Sequence, residues 1–161
     1  MKLWKKMAVG TGAAVVSAML LINPKLTNPP VTPGRDFLAS NTPPARITAI
    51  LRNACYDCHS HETKWPWYSH VAPVSWWLVD HVNHGREELN LSEWPHDDPR
   101  RAARRLSRMA EMVLDGEMPL NDYVRGHPEA KLSDAQREGF SDWAEQEAER
   151  LRASAPAAER E

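Results

Sequence analysis

The chain has 161 residues, room for one domain and little more, and its formal net charge of −2 gives no reason to expect nucleic-acid binding. Seven Trp and thirteen Pro against two Phe favour a small helical domain with irregular loops over a protein of alternating strands. The only two cysteines lie three positions apart. A disulfide across so short a loop would stabilise little, so the pair favours a chemical role.

The N-terminus has the pattern of a secretory signal or signal anchor. Three lysines among the first six residues precede an uncharged run of 16 residues from Met7 to Ile22. We expect residues 1–22 to be an uncleaved membrane helix in the inner membrane, with cleavage after Ala18 as the alternative. The lysines place the N-terminus inside and the rest of the chain outside, in the periplasm.

A proline-rich stretch follows this segment. Residues 23–44 hold six of the thirteen prolines and show no helical periodicity, which predicts an extended linker. At the other end, residues 152–161 are rich in Ala and Glu and predict a flexible tail. We therefore expect the folded domain to span residues 45–151.

Four helices are predicted within the domain. Apolar residues at i, i+3, i+4 and i+7 indicate helices over about 44–55, 74–88, 99–115 and 133–152. The fourth begins with a capping box formed by Ser133 and Gln136. No strand or repeat is evident, and the intervening stretches are interpreted as ordered loops, at residues 62–73, 90–98 and 117–132.

The stretch CYDCH at residues 55–59 has the spacing of c-type haem attachment. Two thiols three positions apart can reach the two vinyl groups of one porphyrin, and the following histidine is carried beneath the iron. We therefore expect one covalent haem c held by Cys55 and Cys58 and ligated by His59. A zinc site that adds His61 and a redox-active cysteine pair are the alternatives, but no second cysteine pair and no βαβ pattern accompany them.

The sixth position of the iron is assigned to Met118, which lies in a loop beside Pro119 after the third helix. A methionine opposite histidine is the ligand pair of electron-carrying cytochromes c. The alternative that Met118 only fills the core stays open. His81, on the inward stripe of the second helix, is the rival ligand, and a five-coordinate iron is the third possibility.

Large aromatic residues follow the motif closely. Trp65, Trp67 and Trp77 could shield the apolar face of a haem from water, or they could simply fill a small core. Arg86 could pair with a haem propionate, since a guanidinium makes bidentate bonds to carboxylates, or it could be a solvated surface charge.

The segments that carry these residues resemble the bacterial haem-binding domain family with a CxxCH motif. They are CYDCHS at 55–60, WPWYS at 65–69, APVSW at 72–76 and LNLSEW at 89–94. The later pairs Met118-Pro119 and His127-Pro128 are similar as well, so the resemblance covers residues 45–143. It implies a mono-haem, mostly helical, cytochrome c-like domain behind an N-terminal membrane segment.

The sequence thus predicts an all-α, cytochrome c-like domain around one covalent haem, preceded by a membrane helix. We expect it to carry single electrons between redox partner proteins at the periplasmic face of the inner membrane, and not to be an enzyme. The alternatives are a haem-based sensor or ligand-binding module, a small peroxidase and, last, a zinc-stabilised interaction domain.

Overall fold

The computed structural model describes residues 4, 7–12, 14, 17 and 24–155 of the chain. From residue 24 onward it contains α1 (Phe37–Ser40), α2 (Ala45–Ala54), α3 (Tyr56–His59), α4 (Val74–Glu88), α5 (Pro99–Leu114), α6 (Asn121–Gly126) and α7 (Asp134–Ser154). Short 3₁₀ turns lie between them, at Trp67–His70, Leu91–Glu93 and Pro128–Ala130. These residues include no strand, so the all-α part of the prediction is confirmed.

The predicted membrane helix over residues 1–22 is wrong. Among the helices of the described part of the chain, none is both long and apolar enough to cross a bilayer. At 1.5 Å per residue the uncharged run that prompted the prediction would extend about 24 Å, short of a hydrocarbon core of roughly 30 Å. Residues 13, 15–16 and 18–22 of that run, with the alternative cleavage point after Ala18, lie outside the described residues.

The core is built on the pairing of α5 with α7. Small residues on both helices are fully buried, which lets the two backbones approach closely. They are Ala102, Ala103 and Ala110 on α5, and Ala144 and Ala148 on α7. Leu106 and Phe140 fill the remaining space between the helices. Helix α7 begins at the predicted capping box, in which Ser133 and Gln136 bond each other's backbone N–H groups.

The structure differs from the extended linker predicted over residues 23–44, most clearly at the helix α1. Asp36 caps the short helix α1, and Phe37 is buried in the core. The ring of Phe37 meets Trp94 edge-on, with 4.6 Å between ring centroids. An aromatic anchor thus helps to tie this proline-rich stretch to the domain, which periodicity over a longer window does not reveal.

Candidate functional site

The CYDCH motif forms the junction between α2 and α3. Cys55 lies between the two helices, and its carbonyl oxygen accepts hydrogen bonds from the backbone N–H groups of Cys58 and His59, at 3.2 and 2.9 Å. Both cysteines are free and partly exposed. Burial, reinforced by the neighbouring thiol, raises the pKa of Cys55 to about 12, and burial followed by the Asp57 charge raises the pKa of Cys58 to about 11. Both groups are therefore protonated thiols at neutral pH.

The second residue of the motif fastens this turn to the core. Tyr56 is buried, and its hydroxyl lies 3.1 Å from Asp36 Oδ1, where it donates a hydrogen bond. Arg52 covers the other side of the Tyr56 ring at 4.4 Å from the centroid, a cation–π contact. The contacts of Tyr56 therefore fix the turn that carries the two cysteines.

His59 is oriented by backbone carbonyls of α4. Its Nδ1–H donates to the carbonyl oxygen of Gly85 at 2.7 Å and, more weakly, to that of Leu89 at 3.1 Å. Because carbonyls only accept, Nδ1 carries the proton and Nε2 keeps its lone pair. Burial lowers the pKa of His59, although both carbonyl bonds act in the opposite direction. A neutral imidazole with a fixed tautomer is the form that ligates a metal.

Gly85 is the residue that lets α4 reach the motif, and the sequence analysis assigned it no role. A Cβ placed there would lie 2.9 Å from the carbonyl oxygen of Cys58. Any larger side chain would therefore push α4 away from the motif and lengthen the bond to His59.

Sequence reasoning also missed a polar cluster around the third motif residue. Asp57 Oδ2 accepts from the hydroxyl of Tyr123 at 2.8 Å, and its Oδ1 accepts from the backbone N–H of Lys64 at 3.1 Å. The Tyr123 ring stacks on His127 with 4.2 Å between centroids and an interplanar angle of 12°. His127 Nε2 in turn lies 2.9 Å from the Tyr68 hydroxyl. Helix α6 is thereby joined to the motif.

Arg86 lies beside the motif, but its guanidinium is engaged by protein acceptors. Nε donates to the carbonyl oxygen of Ser60 at 2.8 Å, and the terminal nitrogens donate to Thr27 O, Asn28 Oδ1 and Thr63 Oγ1 at 3.0, 3.1 and 2.8 Å. The structure therefore shows a clamp between residues 27–28 and the loop after the motif. The propionate partner proposed from the sequence stays a prediction.

Met118 is half-buried and packs against the core. Its backbone N–H donates to Met112 O at 3.0 Å, and its carbonyl accepts from Arg137 at 2.9 Å. Tyr123, which donates to the motif, follows five residues later. The loop that carries Met118 is thus attached on one side to α7 and on the other to the CYDCH turn.

The predicted aromatic residues divide into two groups. Trp65 is half-buried and donates through Nε1 to Asn28 Oδ1 at 3.1 Å. Trp67 is 79% exposed and Trp77 is 46% exposed.

His81, the rival ligand, lies against the Trp77 ring at 4.1 Å, and its Nδ1 bonds the carbonyl of Trp77 at 2.9 Å. Its second ring nitrogen, Nε2, is the atom that could reach a metal.

The zinc alternative gains nothing from the geometry. Across the described ranges, no group of three or more His, Cys, Asp or Glu side chains is arranged to hold a metal ion. A haem needs no such group, because the porphyrin supplies four of the ligands and the protein supplies only the axial ones. Two thiols and one oriented histidine on a single turn suit that requirement.

Comparison with known proteins identifies the family of the chain. A family model described as a haem-binding domain matches residues 14–146, which is most of the chain. No curated protein and no solved structure is significantly similar to the chain. The matched range includes the whole CYDCH motif and Met118. The chain therefore belongs to the haem-binding domain family, and haem is its cofactor.

Proposed function

We propose that the chain carries one covalent haem c, bound through Cys55 and Cys58 and ligated by His59, and that it transfers single electrons in the periplasm. The observation that supports this most directly is the orientation of His59. Its Nδ1–H is bound to Gly85 O at 2.7 Å, which leaves Nε2 as a metal ligand on the same turn as two free thiols.

The spacing of the thiols supports covalent attachment. Cys55 and Cys58 are three residues apart on a turn closed by the Cys58 N–H bond to Cys55 O, so their side chains lie on one side of it. Both cysteines are free, so each can add its S–H across one vinyl group. In each addition the sulfur bonds to one vinyl carbon and the thiol hydrogen goes to the other.

An apolar stripe on α4 supports the placement of the porphyrin. Val74, Trp77, His81 and Gly85 lie at i, i+3, i+7 and i+11, which is one face of the helix. Gly85 meets Cys58, while Val74 and Trp77 are 41% and 46% exposed. Contiguous exposed apolar surface on a small domain indicates a binding site. A porphyrin attached at Cys58 would cover this stripe, with Trp67 near its edge.

Met118 is the proposed second axial ligand. Haem, when bound, supplies an iron that gains or loses one electron. The protein sets how readily this happens through its axial ligands and through burial, and a methionine opposite histidine raises the potential. The backbone bonds of Met118 to Met112 and Arg137 hold the loop that carries the thioether side chain.

The periplasmic location is proposed from the same chemistry. Thioether attachment of haem takes place outside the cytoplasm in c-type cytochromes, and the lysine-rich start followed by an uncharged run is typical of exported chains. Redox partner proteins that meet the domain there would be its electron donor and acceptor.

The reduced-minus-oxidised spectrum of protein made with a c-type maturation system tests this function. We expect a sharp low-spin α band and a weak Met–iron band at the red end of the spectrum. A high-spin wild-type spectrum that shifts with carbon monoxide would contradict electron transfer and would indicate a sensor or peroxidase instead.

A substitution of the distal ligand sharpens the assignment. Met118→Ala should convert the haem to a high-spin form that binds carbon monoxide, because the iron loses its sixth ligand. Met112→Ala, which removes a neighbouring methionine side chain, is the matched control and should leave the low-spin spectrum in place. If Met118→Ala keeps that spectrum, the distal assignment is wrong and His81→Ala is the next variant.

A further inference from the structure

A cluster of four side chains joins the haem-attachment turn to the segment after Met118. We name it the latch, and it consists of Asp57, Tyr68, Tyr123 and His127. Asp57 and Tyr123 are 66 residues apart in the chain, yet their oxygens lie 2.8 Å apart. No sequence motif predicts this contact.

The bond between Tyr123 and Asp57 is a charge-assisted one. Burial and the hydrogen bond to Asp57 raise the pKa of Tyr123, so its hydroxyl keeps the proton and acts as donor to the carboxylate. Such bonds are roughly twice as strong as those between neutral groups. The hydroxyl end of the Tyr123 side chain is therefore fixed to the motif.

His127 fixes the Tyr123 ring from the side. His127 stacks on it at 4.2 Å, and His127 itself bonds Tyr68 through Nε2 and Glu129 through Nδ1, at 2.9 and 3.2 Å. Because both nitrogens of His127 are engaged, the imidazole cannot rotate without losing a bond. The stacked Tyr123 ring is held in the orientation that reaches Asp57.

Helix α6 depends on these contacts for its position. It has six residues, and none of them is buried. A helix of this length is not stable by itself, and most helical stability comes from packing of an apolar face, which α6 lacks. The bonds made by Tyr123 and His127 therefore help to hold α6 to the domain.

The position of α6 decides where the preceding loop lies. Met118 comes three residues before its first residue, Asn121. On the other side, Arg137 donates to the carbonyl oxygens of Val113 and Met118, both at 2.9 Å. The loop is thus fixed at one end by α7 and at the other by the latch.

We infer that Tyr123 and Asp57 are positioning residues that hold the Met118 loop over the haem iron, so that the attachment motif itself governs distal ligation. This inference rests on the proposed function. It assigns to the third motif residue, Asp57, a role beyond spacing the two cysteines.

The test compares the apparent affinity of the oxidised holoprotein for imidazole, which competes with Met118 for the iron. Tyr123→Phe keeps the stacked ring and removes only the hydroxyl. We expect it to raise the imidazole affinity about tenfold, equivalent to about 1.4 kcal/mol, and to weaken the Met–iron band, while covalent haem is retained. Asp57→Asn, which removes the charge of the acceptor, should act in the same direction.

The matched control lies on the same helix. Arg125→Gln removes the exposed ion pair between Arg125 and Asp122, which does not involve the motif, and should leave the imidazole affinity within twofold of wild type. If Tyr123→Phe and Asp57→Asn both bind imidazole like wild type while the wild type shows its Met–iron band, this inference is overturned and the proposed function stands. If the wild type carries no covalent haem, both are overturned.

Discussion

Gly85 is the residue at which α4 approaches the CYDCH motif. Gly85→Ala would place a Cβ 2.9 Å from the carbonyl oxygen of Cys58, so either α4 or the motif turn must shift. We expect a loss of about 1–3 kcal/mol in the free energy of unfolding, typical of overpacking, and a lower yield of haem-loaded protein. Urea unfolding and the ratio of haem absorbance to protein measure the two effects.

Gly139 provides the control for this substitution. It lies within α7, and a Cβ there would meet nothing within 4 Å. Gly139→Ala should therefore be neutral or stabilising by up to about 1 kcal/mol, since alanine favours helix. Equal effects of the two substitutions would show that the contact between Gly85 and Cys58 does not constrain the site.

His59 should make the stability of the haem-free protein depend on pH. Burial lowers its pKa in the folded state below the ordinary value of about 6.5, so the unfolded chain binds more protons below that pH. The contribution is present in full above about pH 6.5 and is lost as the pH falls toward the folded pKa. The expected slope is at most about 1.4 kcal/mol per pH unit.

Two histidine variants isolate this effect in urea unfolding of the haem-free protein. His59→Gln should flatten the pH dependence below about 6.5. His84→Gln removes an exposed histidine and should preserve it. A slope that survives in His59→Gln would assign the titration to another group.

At the scale of elements, Arg86 connects three parts of the chain that surround the motif. Its guanidinium bonds Thr27 and Asn28 on one side, and Ser60 and Thr63 on the other. Arg86→Lys keeps the charge but cannot reach all four acceptors, because an ammonium lacks the planar fork. We expect a loss of about 1–3 kcal/mol in stability and faster hydrogen exchange in residues 24–30.

The exposed Arg108 serves as the comparison for Arg86. Within the described part of the chain its ion pair is with Glu111 on its own helix, so Arg108→Lys should change stability by less than about 0.5 kcal/mol. If Arg86→Lys also changes neither the free energy of unfolding nor the rate of hydrogen exchange, the bonds of the Arg86 guanidinium contribute nothing measurable to stability.

The long helices could be predicted from the sequence, and the short ones could not. Apolar periodicity placed α2, α4, α5 and α7 to within about two residues at each end. Helices α2, α5 and α7 present apolar residues to the core, whereas the stripe predicted to face inward on α4 leaves Val74 and Trp77 exposed. Helix α6 has no buried residue and was interpreted as a loop. Its Tyr123 and the following His127 bond Asp57 and Tyr68, which are distant in sequence.

At the scale of the whole molecule, part of the candidate site could be predicted from the sequence and part could not. Cys55, Cys58 and His59 could be proposed as haem-binding residues from spacing, because their positions form a local pattern. The groups that orient them come from α4 and α6, brought back by tertiary packing. The carbonyl of Gly85 and the hydroxyl of Tyr123 carry no motif that would single them out.

The failed membrane prediction has a related cause. An uncharged run at the lower limit of bilayer length fits a signal, an anchor or an ordinary helix, and hydropathy alone does not choose among them. The haem prediction depended on chemistry specific to a few atoms, and the family match supports it.

The covalent link between haem and chain is the central claim, and the mass of the matured protein under denaturing conditions tests it most directly. The account predicts a mass equal to the chain plus one haem, with the pigment remaining on the polypeptide after denaturation and lost in a Cys55→Ala and Cys58→Ala double variant. A mass equal to the bare chain, with all pigment extracted by acidified organic solvent, would contradict it.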